Sequence, residues 1–145
     1  MPVLQRHPRQ HRRGSHHAGL RIHPNLRPAA LGLVFLGGAA GTFVRAEVGH
    51  WLPHSPFSWA TFAVNMAGAF LLGALTEALA QRPDDERYRR YRLLLGTGFC
   101  GGLTTYSAFA LDIHDAAPAM GALYAGSTIL LGLVAAFAGA AVVRR

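Results

Sequence analysis

Apolar residues in this chain are not spaced at the period of an amphipathic helix or strand. They are gathered into four blocks, 29–48, 57–79, 93–113 and 117–143. Each block is near or above the roughly 20 residues that a tilted helix needs to cross the hydrocarbon core of a bilayer, and most polar residues fall between them. The pattern predicts an all-α membrane protein with four transmembrane helices over residues 28–145. Residues 1–27 are rich in Arg, His, Pro and Gln and contain no apolar stretch, a composition that predicts a disordered tail. The third and fourth blocks are joined only by His114-Asp115-Ala116, with Pro118 at the start of the fourth, where proline is tolerated. So short a link makes those two spans antiparallel neighbours.

The third block departs from an ordinary span. Its run GFCGGLTTYSAF, residues 98–109, sets a glycine pair and four hydroxyl groups inside apolar sequence. Adjacent glycines weaken a helix by about 1 kcal/mol each relative to Ala. Unpaired backbone at membrane depth is tolerated only where it is buried in protein or lines a cavity. The expectation is a span broken near Gly101–Thr105 and used for handling ions. Carbonyl oxygens exposed at such a break are ligands for a hard cation, but one break supplies too few for a closed shell, which suggests a two-fold partner.

Charge orients the chain. All fourteen basic residues are Arg: Arg45 belongs to the end of the first span, six precede the first block (Arg6, Arg9, Arg12, Arg13, Arg21, Arg27), five lie between the second and third (Arg82, Arg87, Arg89, Arg90, Arg92), and two close the chain (Arg144, Arg145). The last three groups make thirteen. Four spans put these thirteen on one side, and the opposite connections carry none. By the positive-inside rule both termini are cytoplasmic, which makes this a multi-pass protein of the inner (plasma) membrane. The net charge of +7 thus reports the flanks of the spans; it predicts attraction to anionic lipid, with no nucleic-acid partner expected.

The remaining polar residues each admit two readings. Asn65, near the middle of the second block, must face protein or water; it either holds the bundle together or offers its amide to a small anion. Tyr106 and Phe109 share a helix face and either pack or turn their positive ring edges toward an anion's route. Thr104, Thr105 and Ser107 either donate to an anion or bond back to the preceding turn. Arg45, at the end of the first span, either snorkels or draws anions into a vestibule. Small residues four apart (Gly37 and Gly41, Gly98 and Gly102, Ala122 and Gly126, Gly132 and Ala136) let helix backbones meet closely, with contact between two subunits as their natural use. Cys100 is the lone cysteine, which excludes an intrachain disulfide and supports no thiol metal site. The Asp112-Ile113-His114-Asp115 group reads as a polar loop. Glu77 and Asp112 sit near span ends, so proton coupling through a central carboxylate is poorly supported. No nucleophile–base pair or phosphate loop suggests an enzyme.

These residues carry a resemblance. The runs GGAAGTFVR (37–45), TFAVNMAGAFLLG (61–73) and GFCGGLTTYSAF (98–109), in that order, resemble the Fluc/CrcB family of small fluoride channels over residues 30–143. The resemblance implies an antiparallel, dual-topology dimer with two fluoride pathways and a central structural sodium ion (Na+) held by main-chain carbonyls of Gly101 and Thr104. It also implies that Asn65 is the pore amide, that Tyr106 and Phe109 line the pore, and that Arg45 is the first span's arginine. Tyr124 and Thr128 belong to a track of hydroxyl groups, with Ser127 a neighbour, and Thr105 and Ser107 add hydroxyls to the pathway. Two departures stand out: Tyr106 occupies a position where the family usually has Phe, and Gly132 falls where the hydroxyl track is expected to continue.

The function implied is passive export of cytoplasmic fluoride. The alternative is a small proton-coupled four-helix exporter, and a third reading is a scaffold whose Arg tail recruits lipid or nucleic acid. The Arg bias adds one expectation. A chain with a fixed orientation needs an oppositely oriented homologous subunit to build an antiparallel dimer, so a heterodimer is expected.

Overall fold

The computed structural model describes residues 28–52, 57–82 and 85–145, and every regular element among them is helical. Helix α1 is Pro28–Trp51, α2 is Trp59–Ala80 and α3 is the short Glu86–Tyr91. A widened, π-helical stretch, Arg92–Cys100, leads into α4 (Gly101–Leu103), α5 (Tyr106–Asp115) and α6 (Pro118–Arg144). Among the described residues three helices, α1, α2 and α6, are long and apolar enough to cross a membrane. The third apolar block is a jointed rod from Arg92 to Asp115. The tail 1–27, its six arginines and its predicted disorder lie outside the described residues.

Two helix pairs form the body of the molecule. The first joins α1 to the π-helical stretch and α4, and the second joins α2 to α6. Both are glycine seams. A methyl group on Gly37 would strike the Leu94 carbonyl oxygen, one on Gly41 the Phe99 carbonyl oxygen, and one on Gly102 the carbonyl oxygen of Gly38. On the other pair, Gly73 abuts the Ala136 carbonyl and Gly139 that of Phe70. Main chain touches main chain at these points, where dispersion and close packing hold membrane helices together without help from the hydrophobic effect. The Gly37/Gly41 and Gly98/Gly102 spacings thus serve contacts within one subunit. Of the fourth-span pairs, Gly132 meets Met66 and Ala136 meets Gly73, while nothing approaches Gly126.

The break is real, and it begins two residues beyond the glycine pair. Gly101 keeps helical angles (φ −65°, ψ −34°), whereas Thr104 (−77°, 156°) and Thr105 (−145°, 121°) are extended. No described residue has a positive φ. Gly98 and Gly102 are therefore needed for their missing side chains, because a β-carbon there would collide with α1. Thr105 then caps the next helix, its Oγ1 accepting from the Ala108 amide at 3.2 Å, a standard use of threonine at a helix start. The α5–α6 link is the predicted tight turn, with Ala117 before Pro118 and Gly121 set against the Ile113 carbonyl.

Replacing Gly102 with Val should lower stability by roughly 1–3 kcal/mol, the usual cost of overpacking against atoms that cannot retreat. Gly126→Ala faces open space and gains helix propensity, so its thermal midpoint in detergent micelles should match or exceed that of the parent. Equal midpoints for Gly102→Val and the parent would refute the seam.

Candidate functional site

The extended residues at the break are held by a side chain from another helix. Asn65 of α2 accepts a hydrogen bond from the Thr105 amide through Oδ1 (2.9 Å) and donates through Nδ2 to the Thr105 carbonyl (3.3 Å). The amide cannot be turned the other way, because a backbone N–H only donates and must meet the oxygen. Asn65 thus pairs with Thr105 as a neighbouring strand residue would. It satisfies both backbone groups of a residue that has left the helical ladder, and its second N–H is left for another acceptor.

Other bonds complete the joint. The Thr104 hydroxyl and amide both donate to the Cys100 carbonyl, at 2.9 and 3.0 Å, ending the first half of the rod. Arg45 of α1 donates from Nη1 to the Thr104 carbonyl at 3.2 Å, so this guanidinium is tied to the break and does not simply snorkel. The Thr105 and Ser107 hydroxyls lie 3.2 Å apart. The Thr105 amide goes to Asn65, which diverts the donor that a continuous helix would have given to the Gly101 carbonyl.

Beside the joint runs an open groove of about 560 Å³. It brings together Asn65, Gly101, Thr104, Thr105, Tyr106, Phe109, Thr128 and Gly132, drawn from the second, third and fourth apolar blocks. Arg45, Ser107 and Tyr124 do not line it. Tyr106 is 82% exposed and projects from the subunit, with its ring centroid 6.2 Å from that of Phe109. Phe109 in turn lies 5.6 Å from the buried Tyr124 ring. One turn along α6, Thr128 is 7% exposed and its hydroxyl has no protein partner. A buried polar atom without a partner costs about 1–3 kcal/mol, which makes this hydroxyl a place for a ligand or water. Ser127 instead bonds back to the Tyr124 carbonyl at 3.1 Å.

One contact was not anticipated from sequence. The Tyr124 hydroxyl donates to Asp112 Oδ2 at 3.3 Å, so the carboxylate read as a span-end residue is part of the hydroxyl track. Its position three residues after Phe109, hence on the same α5 face, was the available signal. Glu77 does sit at a helix end, paired with Arg144 at 2.8 Å. No group of three or more His, Cys, Asp or Glu side chains able to hold a metal occurs among the described residues.

Fold and site define a small polytopic membrane protein whose jointed helix presents backbone, amide, hydroxyl and aromatic groups to a groove. A family model described as CrcB-like protein, Camphor Resistance (CrcB), matches residues 32–140, and the chain belongs to that family, the Fluc/CrcB channels. It is a transport protein and not an enzyme. A protein of Leifsonia xyli subsp. xyli named fluoride-specific ion channel FluC 2 is 49% identical over 115 residues, covering 75% of this chain and 79% of its own. One from Rhizobium johnstonii, named fluoride-specific ion channel FluC, is 42% identical over 119 residues, covering 77% and 94%. One from Mycobacterium bovis, FluC 1, is 40% identical over 128 residues, covering 84% and 96%.

Asn65→Ala should free the Thr105 amide. Loss of a hydrogen bond worth about 1–1.5 kcal/mol speeds its hydrogen exchange roughly tenfold, with the amides of α2 unaffected. Unchanged exchange at Thr105 would show that the clamp does not hold the joint.

Proposed function

We propose that this protein is a passive, fluoride-selective channel that lets fluoride leave the cytoplasm down its electrochemical gradient. The observation that carries the reading is the groove at the broken helix, where unpartnered donors meet aromatic edges in a chain whose relatives are named fluoride-specific channels. Fluoride holds its hydration shell tightly, so a selective path needs closely spaced donors to replace that shell. The second N–H of Asn65, the Thr105 and Thr128 hydroxyls and the ring edges of Tyr106 and Phe109 are those donors. Ser107, Tyr124 and Arg45 act behind them: Ser107 on the Thr105 hydroxyl, Tyr124 on the Phe109 ring and Arg45 on the Thr104 carbonyl.

In this reading the chain crosses the membrane four times, the jointed rod being the third crossing, with both termini cytoplasmic. Two antiparallel subunits face each other across the break. Gly101 and Thr104 both border the groove, and the carbonyl of Gly101 lacks its helical donor, so the oxygen chemistry fits a structural sodium ion. One subunit offers the Gly101 oxygen and the second lone pair of the Thr104 oxygen, whose first accepts from Arg45, and a two-fold partner would double them. Bound there, the ion supplies positive charge that holds the two breaks together. The thirteen arginines on one side favour an oppositely oriented homologue as the partner.

Proton-coupled export through Glu77 is disfavoured by its ion pair with Arg144 at the helix ends. Purified protein in liposomes should release fluoride and retain chloride. Phe109→Ile should reduce fluoride flux at least tenfold while assembly is retained, and Glu77→Gln should leave it intact. Flux that is abolished by Glu77→Gln and indifferent to Phe109→Ile would select the exporter. Silence of folded protein, alone and with its oppositely biased homologue, would overturn the channel.

A further inference from the structure

At the far end of the jointed rod from the groove, α3 and α1 enclose a second pocket, of about 430 Å³, lined by Leu33, Glu86, Arg87, Arg90, Tyr91 and Leu94. Its construction is amphipathic along one line. Arg87, Arg90 and Tyr91 are spaced i, i+3, i+4, so they share a face of α3. Leu94 continues below them, one seam contact away from Gly37, and Leu33 faces it from α1 a turn before that glycine. Two guanidiniums and a phenol thus sit over an apolar floor where the chain enters its membrane-crossing portion.

We propose that this pocket binds the headgroup of an anionic glycerophospholipid. Its phosphodiester would lie between Arg87 and Arg90 beside the Tyr91 hydroxyl, and its glycerol and first methylenes on Leu33 and Leu94. Charge selects the class. The single carboxylate, Glu86, already accepts from Arg90 at 3.1 Å and lies 3.6 Å from Arg89. Two arginines therefore share one negative charge, and Glu86 is not left to hold the ammonium of a zwitterionic headgroup. Arg87 makes no ion pair among the described residues. The floor selects lipid over a free anion: Leu33 and Leu94 line it, and Leu31, Leu36 and Leu95, within three residues of them in the chain, are exposed, an apolar surface for acyl chains that inorganic phosphate would not use. The basic tail 1–27, which contains no Asp or Glu, is the wrong sign to occupy the site.

The test is native mass spectrometry of the full-length protein in detergent, titrated with dioleoyl phosphatidylglycerol or dioleoyl phosphatidylcholine. Wild-type protein should bind one phosphatidylglycerol per subunit in preference to phosphatidylcholine, and inorganic phosphate should not displace it. Arg87→Gln combined with Arg90→Gln should weaken that binding roughly twenty- to thirty-fold, the effect of two arginines near a lipid surface. Both side chains are exposed, so the variant should fold normally. Leu33→Trp fills the floor without changing charge and should also weaken it. The charge-matched pair Arg144→Gln and Arg145→Gln should not. Equal binding of the two lipids, retention by Arg87→Gln/Arg90→Gln, equal loss in the charge-matched control, or displacement by phosphate would each overturn the site.

Discussion

The groove of this molecule depends on a helix that stops being a helix midway through an apolar block, and on the one side chain that makes this tolerable. An extended residue at bilayer depth presents an amide and a carbonyl that hydrocarbon cannot satisfy, at several kcal/mol for each group. Asn65 answers both at Thr105 in a single planar contact. An ionised aspartate, which only accepts, would answer the amide and leave the carbonyl unpaired. Because the clamp comes from α2, the geometry of the break is fixed relative to a second span, and the first donor of the groove is fixed with it.

The seams follow from the same constraint. A jointed rod cannot rely on its own ladder for stiffness, so its first half is pressed backbone to backbone against α1 at Gly37, Gly41, Gly98 and Gly102. The second half is held through α6 by the Gly121 turn and by the Phe109–Tyr124 ring contact. Arg45 reaches the joint from the α1 side and Asn65 from the α2 side, so the break is braced from both directions. The widened helical stretch just before it carries Gly98 and Cys100 into the buried seam, where a local change of helical register at a functional position is a familiar device.

Much of this was legible in the sequence, because bilayer thickness and the cost of unpaired backbone are strong constraints that act on runs of residues. The apolar blocks fall within a few residues of the helices, and the GFCGGLTTYSAF run marks the joint. What sequence misplaced is the cause. The glycines looked like the breaking point, yet they stay helical and pack, while Thr104 and Thr105 leave the helix because Asn65, forty residues earlier, rewards them for it. A pairing over that distance leaves no local signature. The same holds for Asp112, whose role depends on Tyr124 of the next helix lying opposite it. Arg45 was ambiguous for the related reason that its acceptor is a main-chain carbonyl 59 residues away.

The groove is also where the outer surface of this chain changes character. Its floor carries backbone carbonyls, an amide and hydroxyls, and its side is open, with Tyr106 standing 82% exposed at the edge. Hydrocarbon suits this floor poorly, since it would leave the Thr128 hydroxyl and the second N–H of Asn65 without an acceptor. The exterior elsewhere is of the opposite kind, Phe35 at 74% and Phe137 at 68% exposure among wholly apolar neighbours, and suits acyl chains. Two chemically distinct outer surfaces on one small chain demand two different neighbours. The apolar one suits the bilayer, and the groove suits a neighbour able to pair with its donors. The polar chemistry of this small chain is thus concentrated on one side, at the break that Asn65 clamps.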